Sequence, residues 1–431
     1  MPIGFENVAD LRRLGFCGSR MDAEIIAVGS ELLTPIHQDT NSLYLTEKLN
    51  GLGIEVRFKT IVGDDRDRLA GVFQDALKRS ELVILTGGLG PTEDDVNRDV
   101  VSGVLGRPLR ELEVLRKHIE ARFARIGRTM AENNLRQAQV PEGADWLENP
   151  NGTAPGIWIE HDGNLVVLLP GPPGELTAIF EASCIPRLKR FAGKERIRSR
   201  VYRIVGLPES EVDQRIAAFY RNYQNPATTI LARLGVIEVH VRARAASDQE
   251  ADGLINEVGD KIELALGDHV FSTHGESMEE VVGMYLVMKQ LTVTVAESCT
   301  GGLLSERLTH TPGSSNFFLG GVVCYSNELK TRLVGVPVEL IEKNGAVSKL
   351  VAQALAEGIR RRTDAAIGIG ITGIAGPGGG TPEKPVGLVF IALADAKGTN
   401  IREFRFPGNR ERVRFWASQA ALEMIRRRIR A

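Results

Sequence analysis

Two hydroxyl side chains and two glycines stand together in the segment AESCTGG at 296–302. The alternating apolar run before this segment predicts a β-strand, and the apolar residues after it recur at helical spacing. A strand–turn–helix of this kind presents hydroxyls and free backbone N–H groups beside the positive end of a helix. Those groups suit a nucleophile and a cradle for an oxyanion, with Ser298 and Thr300 as the candidate hydroxyls. The alternative is that both residues only cap the helix and the glycines only form the turn.

Other polar side chains follow further predicted strands of the C-terminal half. Tyr325 and Lys330 come at or just after a strand predicted at 321–325, and Thr372 and Arg410 follow later strands. No histidine follows any of these strands, so a Ser-His-Asp triad is not expected. Lys330 is the only lysine near these loops, and a lysine can be the base if burial lowers its pKa; a surface lysine is the alternative. Arg410 has the fork geometry that binds phosphate.

The N-terminal half predicts a second site. Strands and helices alternate between residues 23 and 85, which predicts a doubly wound α/β domain with its site at the carboxyl ends of the strands. The loop TGGLGPTEDD at 86–95 combines glycines, which let the backbone approach a phosphate, with carboxylates, which suit a divalent metal. The alternative is a turn followed by a helix with an acidic first turn.

Composition narrows the classes of protein that fit. The chain has 431 residues and a net charge of −2, which predicts two or three domains and argues against nucleic-acid binding as the main activity. No apolar run reaches membrane-spanning length, so no membrane partner is expected. The four cysteines form no metal-binding pattern, which favours reduced thiols in a cytoplasm. We expect an upstream extension at 1–20 before Met21, a domain at 21–194, a small α+β connecting domain at 195–272 and a third α/β domain at 273–431.

The N-terminal half resembles MoaB/MogA-like molybdopterin-binding domains. The resemblance is carried by four ordered motifs: VGSELL, VGDD, TGGLGPTEDD and LPGPPGE. They resemble the N-terminal domain of the CinA family more closely. In MogA-like domains two aspartates are the key catalytic groups, and by motif they correspond to Asp64 and Asp95. The MogA-like pattern has an arginine before its aspartate, whereas this chain has Asp94, which suits the CinA branch.

The CinA resemblance implies that this domain is a metal-dependent pyrophosphatase acting on ADP-ribose. The implied ligands of a divalent metal of unknown identity are Asp64, Asp94 and Asp95. The candidate substrate contacts are Gly29, Glu31, Thr86, Gly87, Gly88, Gly90 and Asn151. For Asn151 a purely structural turn is the alternative.

The C-terminal half resembles the CinA-family C-terminal domain, a PncC-type nicotinamide mononucleotide amidase. The motifs that carry this resemblance are AESCTGG, GSS, CYSNELK, ITGIAGPGGG and FPGNR. The resemblance implies a serine amidohydrolase with a Ser/Lys dyad and no cofactor, which forms nicotinate mononucleotide and ammonia. The positions carried over by motif are Ser298, Ser315, Tyr325, Lys330, Thr372 and Arg410, with Thr300, Gly301 and Gly373 as further substrate contacts. Whether Ser298 or Ser315 attacks stays open. A cysteine nucleophile is a minor alternative, because neither nearby cysteine has a histidine partner.

The sequence thus predicts a bifunctional pyridine-nucleotide salvage hydrolase that forms a homodimer. Its expected partners are nicotinamide mononucleotide and ADP-ribose, without direct nucleic-acid contact. Two other classes stay open: a molybdopterin-binding protein, and a non-catalytic partner in DNA uptake or repair.

Overall fold

The computed structural model describes residues 21–125, 127–191 and 195–430. The extension expected at 1–20 lies outside the described residues. The chain divides into two compact units. The first contains the described residues up to Ser199 together with Arg242–Glu257, and the second contains Arg200–Val241 and the described residues from Val258 onward.

The N-terminal half alternates strands and helices, as expected from its apolar pattern. Its strands are β1 (Asp22–Val28), β2 (Glu55–Val62), β3 (Leu82–Thr86), β4 (Leu109–Glu111), β5 (Gln139–Pro141), β6 (Asp145–Leu147), β7 (Gly156–His161) and β8 (Asn164–Leu169). Its helices are α1 (Asn41–Gly51), α2 (Arg66–Arg79), α3 (Asn97–Leu105), α4 (Glu113–Arg125), α5 (Pro173–Ile179) and α6 (Ile185–Leu188).

Six of these strands form one sheet in the order β2-β1-β3-β8-β7-β6. β2, β1, β3 and β8 run parallel, and β7 and β6 continue the sheet antiparallel. Alternate residues enter two cores: Ile26 and Leu85 pack with α2 and α3 on one face, while Ile25 and Ile84 pack with α1 and α5 on the other. Burial on both faces explains the nearly continuous apolar strands and confirms the doubly wound α/β prediction.

The connecting segment contains β9 (Arg196–Ile204), α7 (Glu209–Tyr220), β10 (Ala227–Arg233), β11 (Val236–Ala245), α8 (Asp248–Leu266) and β12 (Val270–Ser272). Within the second unit, residues of these strands form a sheet in the order β10-β11-β9-β12. β12 pairs antiparallel with β9. α7 begins at Glu209, directly after Pro208.

The C-terminal half is a second three-layer α/β arrangement. Its strands are β13 (Val293–Glu297), β14 (Phe318–Val323), β15 (Ile367–Gly373), β16 (Leu388–Asp395) and β17 (Gly398–Arg405). Its helices are α9 (Met278–Met288), α10 (Leu303–His310), α11 (Asn327–Val334), α12 (Val338–Asn344), α13 (Lys349–Thr363) and α14 (Arg410–Arg430).

The C-terminal strands form a sheet in the order β14-β13-β15-β16-β17. β14, β13 and β15 are parallel, and β16 and β17 are added antiparallel. Ile369 faces the core with α9, α10 and α14, whereas Ala296 faces the core with α11 to α13. The carboxyl ends of β13, β14, β15 and β17 therefore lie at one edge, the position at which α/β sheets carry ligand sites.

None of the helices in the described ranges combines the length and apolar composition that crossing a membrane requires.

Glycines on β15 let α13 pack directly against the strand backbone. A Cβ at Gly370 would lie 2.4 Å from the carbonyl oxygen of Ala352 and 2.5 Å from the nitrogen of Ala356, both on α13. The helix can approach this closely only because the strand lacks a side chain there.

We predict that Gly370→Ala lowers the stability of the C-terminal half by about 1–3 kcal/mol, the usual cost of overpacking a dense core. Differential scanning calorimetry would detect the loss as a lower midpoint of thermal unfolding. Gly253→Ala is the matched control, because a Cβ at Gly253 on α8 meets nothing within 4 Å. An unchanged midpoint in Gly370→Ala would contradict the close packing.

Candidate functional sites

The strongest candidate nucleophile follows β13 directly. Ser298 is the first residue after the strand, and its N–H donates to the carbonyl of Ile371 at 3.0 Å. This bond ties the start of the turn to β15. The serine is buried, with 8% of its surface exposed. Its position at the carboxyl edge of the sheet is therefore fixed by β13 and β15.

A buried carboxylate that the sequence did not single out holds the turn after Ser298. Glu297 is fully buried, and its Oε2 accepts hydrogen bonds from the N–H groups of Gly302 and Leu304, both at 3.1 Å. Its Oε1 accepts from the N–H of Ser305 at 2.8 Å and from the Ser305 hydroxyl at 2.7 Å. A carboxylate at the start of a helix satisfies N–H groups that would otherwise lack partners and is stabilised by the helix dipole.

This geometry corrects the expectation about the segment. The first N–H groups of α10 were expected to be free for a ligand, but Glu297 occupies them. Neither Ser298 nor Thr300 caps the helix, because the residue before it is Gly302 and no hydroxyl bonds to its first turn. A glutamate at the end of a strand, five residues before the glycine that precedes the helix, is the signal that could have identified this cap.

Donors nevertheless remain at the turn itself. Within the described residues, the N–H groups of Cys299 and Thr300 donate to no backbone carbonyl. The hydroxyl of Thr300 is buried without a hydrogen-bond partner in the same part of the chain. Two adjacent N–H groups next to a serine have the form of an oxyanion hole.

Lys330 is buried beside this turn. It lies on α11, only 2% of its surface is exposed, and its Nζ donates to the carbonyl of Tyr325 at 2.8 Å. Burial lowers the pKa of Lys330, and the nearby Cys324, Cys299 and Tyr325 offset part of that effect. No carboxylate forms an ion pair with this lysine in the described chain, so its neutral form is favoured compared with an exposed lysine.

Tyr325 and Arg410 contact each other at the edge of the site. Nη2 of Arg410 donates to the Tyr325 hydroxyl at 3.3 Å, and Nη1 donates to the carbonyl of Gly376 at 2.9 Å. Arg410 is the first residue of α14, and the tyrosine is 57% exposed. The guanidinium thus joins the loops that follow β14 and β15.

A second arginine, Arg414, was missed by sequence reasoning. Its Nε and Nη2 both donate to the carbonyl of Thr300, at 3.0 and 2.8 Å. The spacing could have revealed it, because residues four apart on a helix share a face and Arg410 was already a candidate.

Thr372 and Gly373 do not lie in a loop as expected, because β15 extends to Gly373. The Thr372 side chain is almost fully buried and donates to the carbonyl of Ala346 at 2.8 Å. Gly373 pairs with Val389 in the ladder between β15 and β16. Both residues therefore make structural contacts, and Thr372 anchors the loop that leads into α13.

Ser315 lies apart from the other candidates. It belongs to a single exposed turn, Ser314–Asn316, immediately before β14 begins at Phe318. The start of β14 pairs with Val293 at the start of β13, so Ser315 is at the opposite edge of the sheet from Ser298. The structure brings together Ser298, Tyr325, Lys330 and Arg410, and it does not bring Ser315 to them.

The two cysteines near this site are buried, and burial favours their protonated thiol form. Burial raises the pKa of the Cys299 thiol to about 12, and burial also raises the pKa of Cys324. Because the thiolate is the nucleophilic form of cysteine, this environment disfavours a cysteine nucleophile.

The N-terminal candidates surround a cavity of about 340 Å³ at the carboxyl edge of their sheet. The predicted residues that line it are Gly29, Glu31, Asp64, Gly87, Gly88, Gly90, Asp94 and Asp95. Thr86 is buried as the last residue of β3, and it does not line the cavity. Asn151 does not line it either; its side chain donates to the carbonyl of Gly174 at 2.8 Å, which fits the structural alternative.

The two predicted catalytic aspartates are each fixed by neighbouring groups. Oδ2 of Asp64 accepts from the N–H of Ser30 at 2.9 Å. Oδ2 of Asp95 accepts from the N–H of Thr92 at 2.8 Å and from its hydroxyl at 2.6 Å. Within the described residues Oδ1 of Asp95 accepts no hydrogen bond. In each aspartate, hydrogen bonds to Oδ2 thus orient the carboxylate.

Buried side chains donate hydrogen bonds to the backbone carbonyls of the glycine loop that precedes Asp95. Arg98 donates to the carbonyls of Leu89 and Gly90 at 2.7 and 2.8 Å, and Asn97 donates to that of Gly87 at 2.7 Å. Burial lowers the pKa of Arg98 to about 10. Gly87 itself has a positive φ of 89°, and a Cβ there would lie 2.2 Å from the carbonyl oxygen of Val28, so only glycine fits this turn.

The cavity has the donor chemistry of a cation site. Five of its lining residues, Glu31, Asp64, Asp94, Asp95 and Glu175, carry carboxylates, and no lysine or arginine is among the described residues that line it. No three Asp, Glu, His or Cys side chains in the described ranges converge as a preformed metal cage. A Mg²⁺-like cation fits such a site, because it keeps several waters and uses one or two carboxylates together with substrate phosphates.

Three segments of the chain each match the model of a known protein family. Residues 24–190 match the model described as "Probable molybdopterin binding domain", 199–272 match "Damage-inducible protein CinA KH domain", and 275–429 match "CinA C-terminal domain". Among solved structures, the competence/damage-inducible protein CihA from Agrobacterium tumefaciens is 36% identical, covers 36% of this chain and 98% of its own, and has a TM-score of 0.35.

Curated relatives match over nearly the full length. The "CinA-like protein" of Koribacter versatilis is 52% identical over 95% of this chain and 100% of the relative. That of Solibacter usitatus is 52% identical over 95% of this chain and 98% of the relative. At this identity and coverage, together with a matching model for each of its three segments, the chain belongs to the CinA family.

Proposed function

We propose that the C-terminal half hydrolyses the amide of nicotinamide mononucleotide by serine catalysis. The observation that carries the proposal is the buried Lys330, which lacks a carboxylate partner in the described chain, at the same sheet edge as Ser298. Tyr325 and Arg410 complete the group. Among the candidate serines, the opposite-edge position of Ser315 supports Ser298 as the nucleophile.

The proposed reaction begins with neutral Lys330, which takes the proton from the Ser298 hydroxyl while Oγ attacks the amide carbon. The N–H groups of Cys299 and Thr300 stabilise the resulting oxyanion. When the carbon–nitrogen bond breaks, Lys330 returns the proton to the leaving nitrogen, and ammonia departs. Water then cleaves the acyl-serine ester, which yields nicotinate mononucleotide and regenerates the enzyme.

We predict that Lys330→Met lowers kcat by about 10²–10⁴-fold, the usual contribution of a general base. In the wild type, activity rises as pH increases through the pKa of Lys330, which burial places below its ordinary value. Mass-spectrometric detection of nicotinate mononucleotide across a pH series measures both effects. Lys343→Met, on a different helix, is the control. Equal rates in wild type and Lys330→Met would refute the proposal.

We also predict that Glu297→Gln lowers kcat by about 10²-fold, because a small displacement of the nucleophile has an effect of that size. The amide nitrogen of glutamine cannot accept the N–H bonds that one carboxylate oxygen accepts now. Ser305→Ala is the matched control, since it removes one donor and leaves the carboxylate in place. A wild-type kcat in Glu297→Gln would show that the cap does not position Ser298.

We propose in addition that the N-terminal half hydrolyses ADP-ribose at its pyrophosphate. The carboxylates of the cavity would repel this anion unless a divalent cation neutralises the phosphates. Asp64 and Asp95, with Asp94, are the residues that would hold that cation. The backbone of the Gly87–Gly90 loop allows close approach of a phosphate.

Asp95→Asn is expected to reduce metal-dependent release of AMP from ADP-ribose by at least about 10²-fold, because it removes one of two oriented carboxylates. Chromatographic measurement of AMP checks this, with the exposed Asp75→Asn as control. Full activity in a chelator would exclude the metal role. Calorimetric binding of a pterin without binding of ADP-ribose would favour the molybdopterin alternative.

A reducing compartment suits this proposal, since Cys184, Cys299 and Cys324 are buried free thiols. A cytoplasmic homodimer stays our prediction for the working form.

A further inference from the structure

The first turns of α14 carry two arginines that reach the loops of the C-terminal site. Arg410 contacts Tyr325 and Gly376, and Arg414 contacts Thr300. These contacts connect α14 to the loops after β13, β14 and β15. Two guanidinium groups four residues apart on one helix therefore border the same sheet edge.

The charges of these arginines have no carboxylate partners. The side chains of Arg410 and Arg414 donate only to neutral carbonyl and hydroxyl oxygens, and neither forms an ion pair in the described chain. At the far end of the same helix the arginines are paired instead: Arg426 and Arg427 with Glu423, and Arg428 with Asp395.

The nearby carboxylate does not neutralise the arginines. Glu297 is buried, and both of its oxygens are occupied by donors at the start of α10. The site therefore has an excess of positive charge, and an anionic ligand would supply the missing partner.

Arg414 also has donors left for a ligand. A guanidinium carries five N–H donors, and the Thr300 carbonyl receives bonds from only Nε and Nη2. Nη2 lies 3.7 Å from the position that a Cβ would take at Gly301, so the absence of a side chain keeps the approach to the guanidinium open.

We propose that Arg414, together with Arg410, binds the phosphate of the substrate and makes the C-terminal site specific for a phosphorylated pyridine nucleoside. This inference rests on the proposed amidase function. Arg414 is a specificity-determining residue rather than a group that takes part in bond cleavage. The planar fork of arginine suits phosphate, and hydrogen bonds between charged groups are stronger than neutral ones.

The test compares nicotinamide mononucleotide with nicotinamide riboside, which lacks the phosphate. Arg414→Gln should lower kcat/KM for the mononucleotide by about 10–100-fold, mainly through KM, and leave that for the riboside within about 2-fold. Arg414→Lys, which keeps the charge without the fork, should fall between wild type and Arg414→Gln. Arg412→Gln is the matched control, because this neighbouring exposed residue makes no side-chain hydrogen bond to the loops in the described chain.

An equal loss for both substrates would overturn the inference, because it would mean that Arg414 only holds Thr300 in place. Binding separates this failure from failure of the proposed amidase. In the Ser298→Ala background, calorimetry should detect tighter binding of the mononucleotide than of the riboside, and Arg414→Gln should remove that difference. If wild type hydrolyses neither compound but this Arg414-dependent preference persists, the amidase proposal fails and the phosphate site stands. Absence of the preference refutes the phosphate site.

Discussion

The bond network of the Glu297 carboxylate determines the geometry of the C-terminal site. This side chain ends β13 and accepts all of its hydrogen bonds from the start of α10, so strand, turn and helix are fixed as one unit. Ser298, Cys299 and Thr300 lie inside that unit. Because the helix N-terminus already holds an internal anion, it is not available to a substrate phosphate. Recognition of an anion must then come from another element, and α14 supplies the nearest cationic groups.

The N-terminal cavity differs from the C-terminal site in the sign of its charge. Its wall carries carboxylates, and the arginine closest to its glycine loop, Arg98, donates to backbone carbonyls and is buried behind that loop. We propose that an anionic substrate binds there together with a cation. In the C-terminal site the protein supplies the positive charge itself, through Arg410 and Arg414. Under the proposed functions each half binds an anionic nucleotide, and a metal is proposed for the N-terminal half alone.

Much of this arrangement could be predicted from the sequence. Apolar patterns identified the strands of both α/β halves, the polar loops after them contained Ser298, Asp64 and Asp95, and Lys330 lies on the helix that follows β14. The errors have physical causes. A strand predicted at 321–325 is in fact β14 at Phe318–Val323, and Ser315 precedes it, so its edge of the sheet could be assigned only from the pairing with β13. Thr372 turned inward because β15 continues through it.

Residues that act through contacts distant in sequence were the hardest to predict. The bond from Arg414 to Thr300 spans 114 positions, and the burial of Glu297 depends on the packing of α10. The unpaired cations of the C-terminal site also have a consequence for turnover. In the proposed reaction a neutral amide becomes a carboxylate, so the product carries one more negative charge than the substrate. If Arg410 and Arg414 bind the substrate as proposed, they also hold this more anionic product, and we expect product inhibition that rising ionic strength relieves.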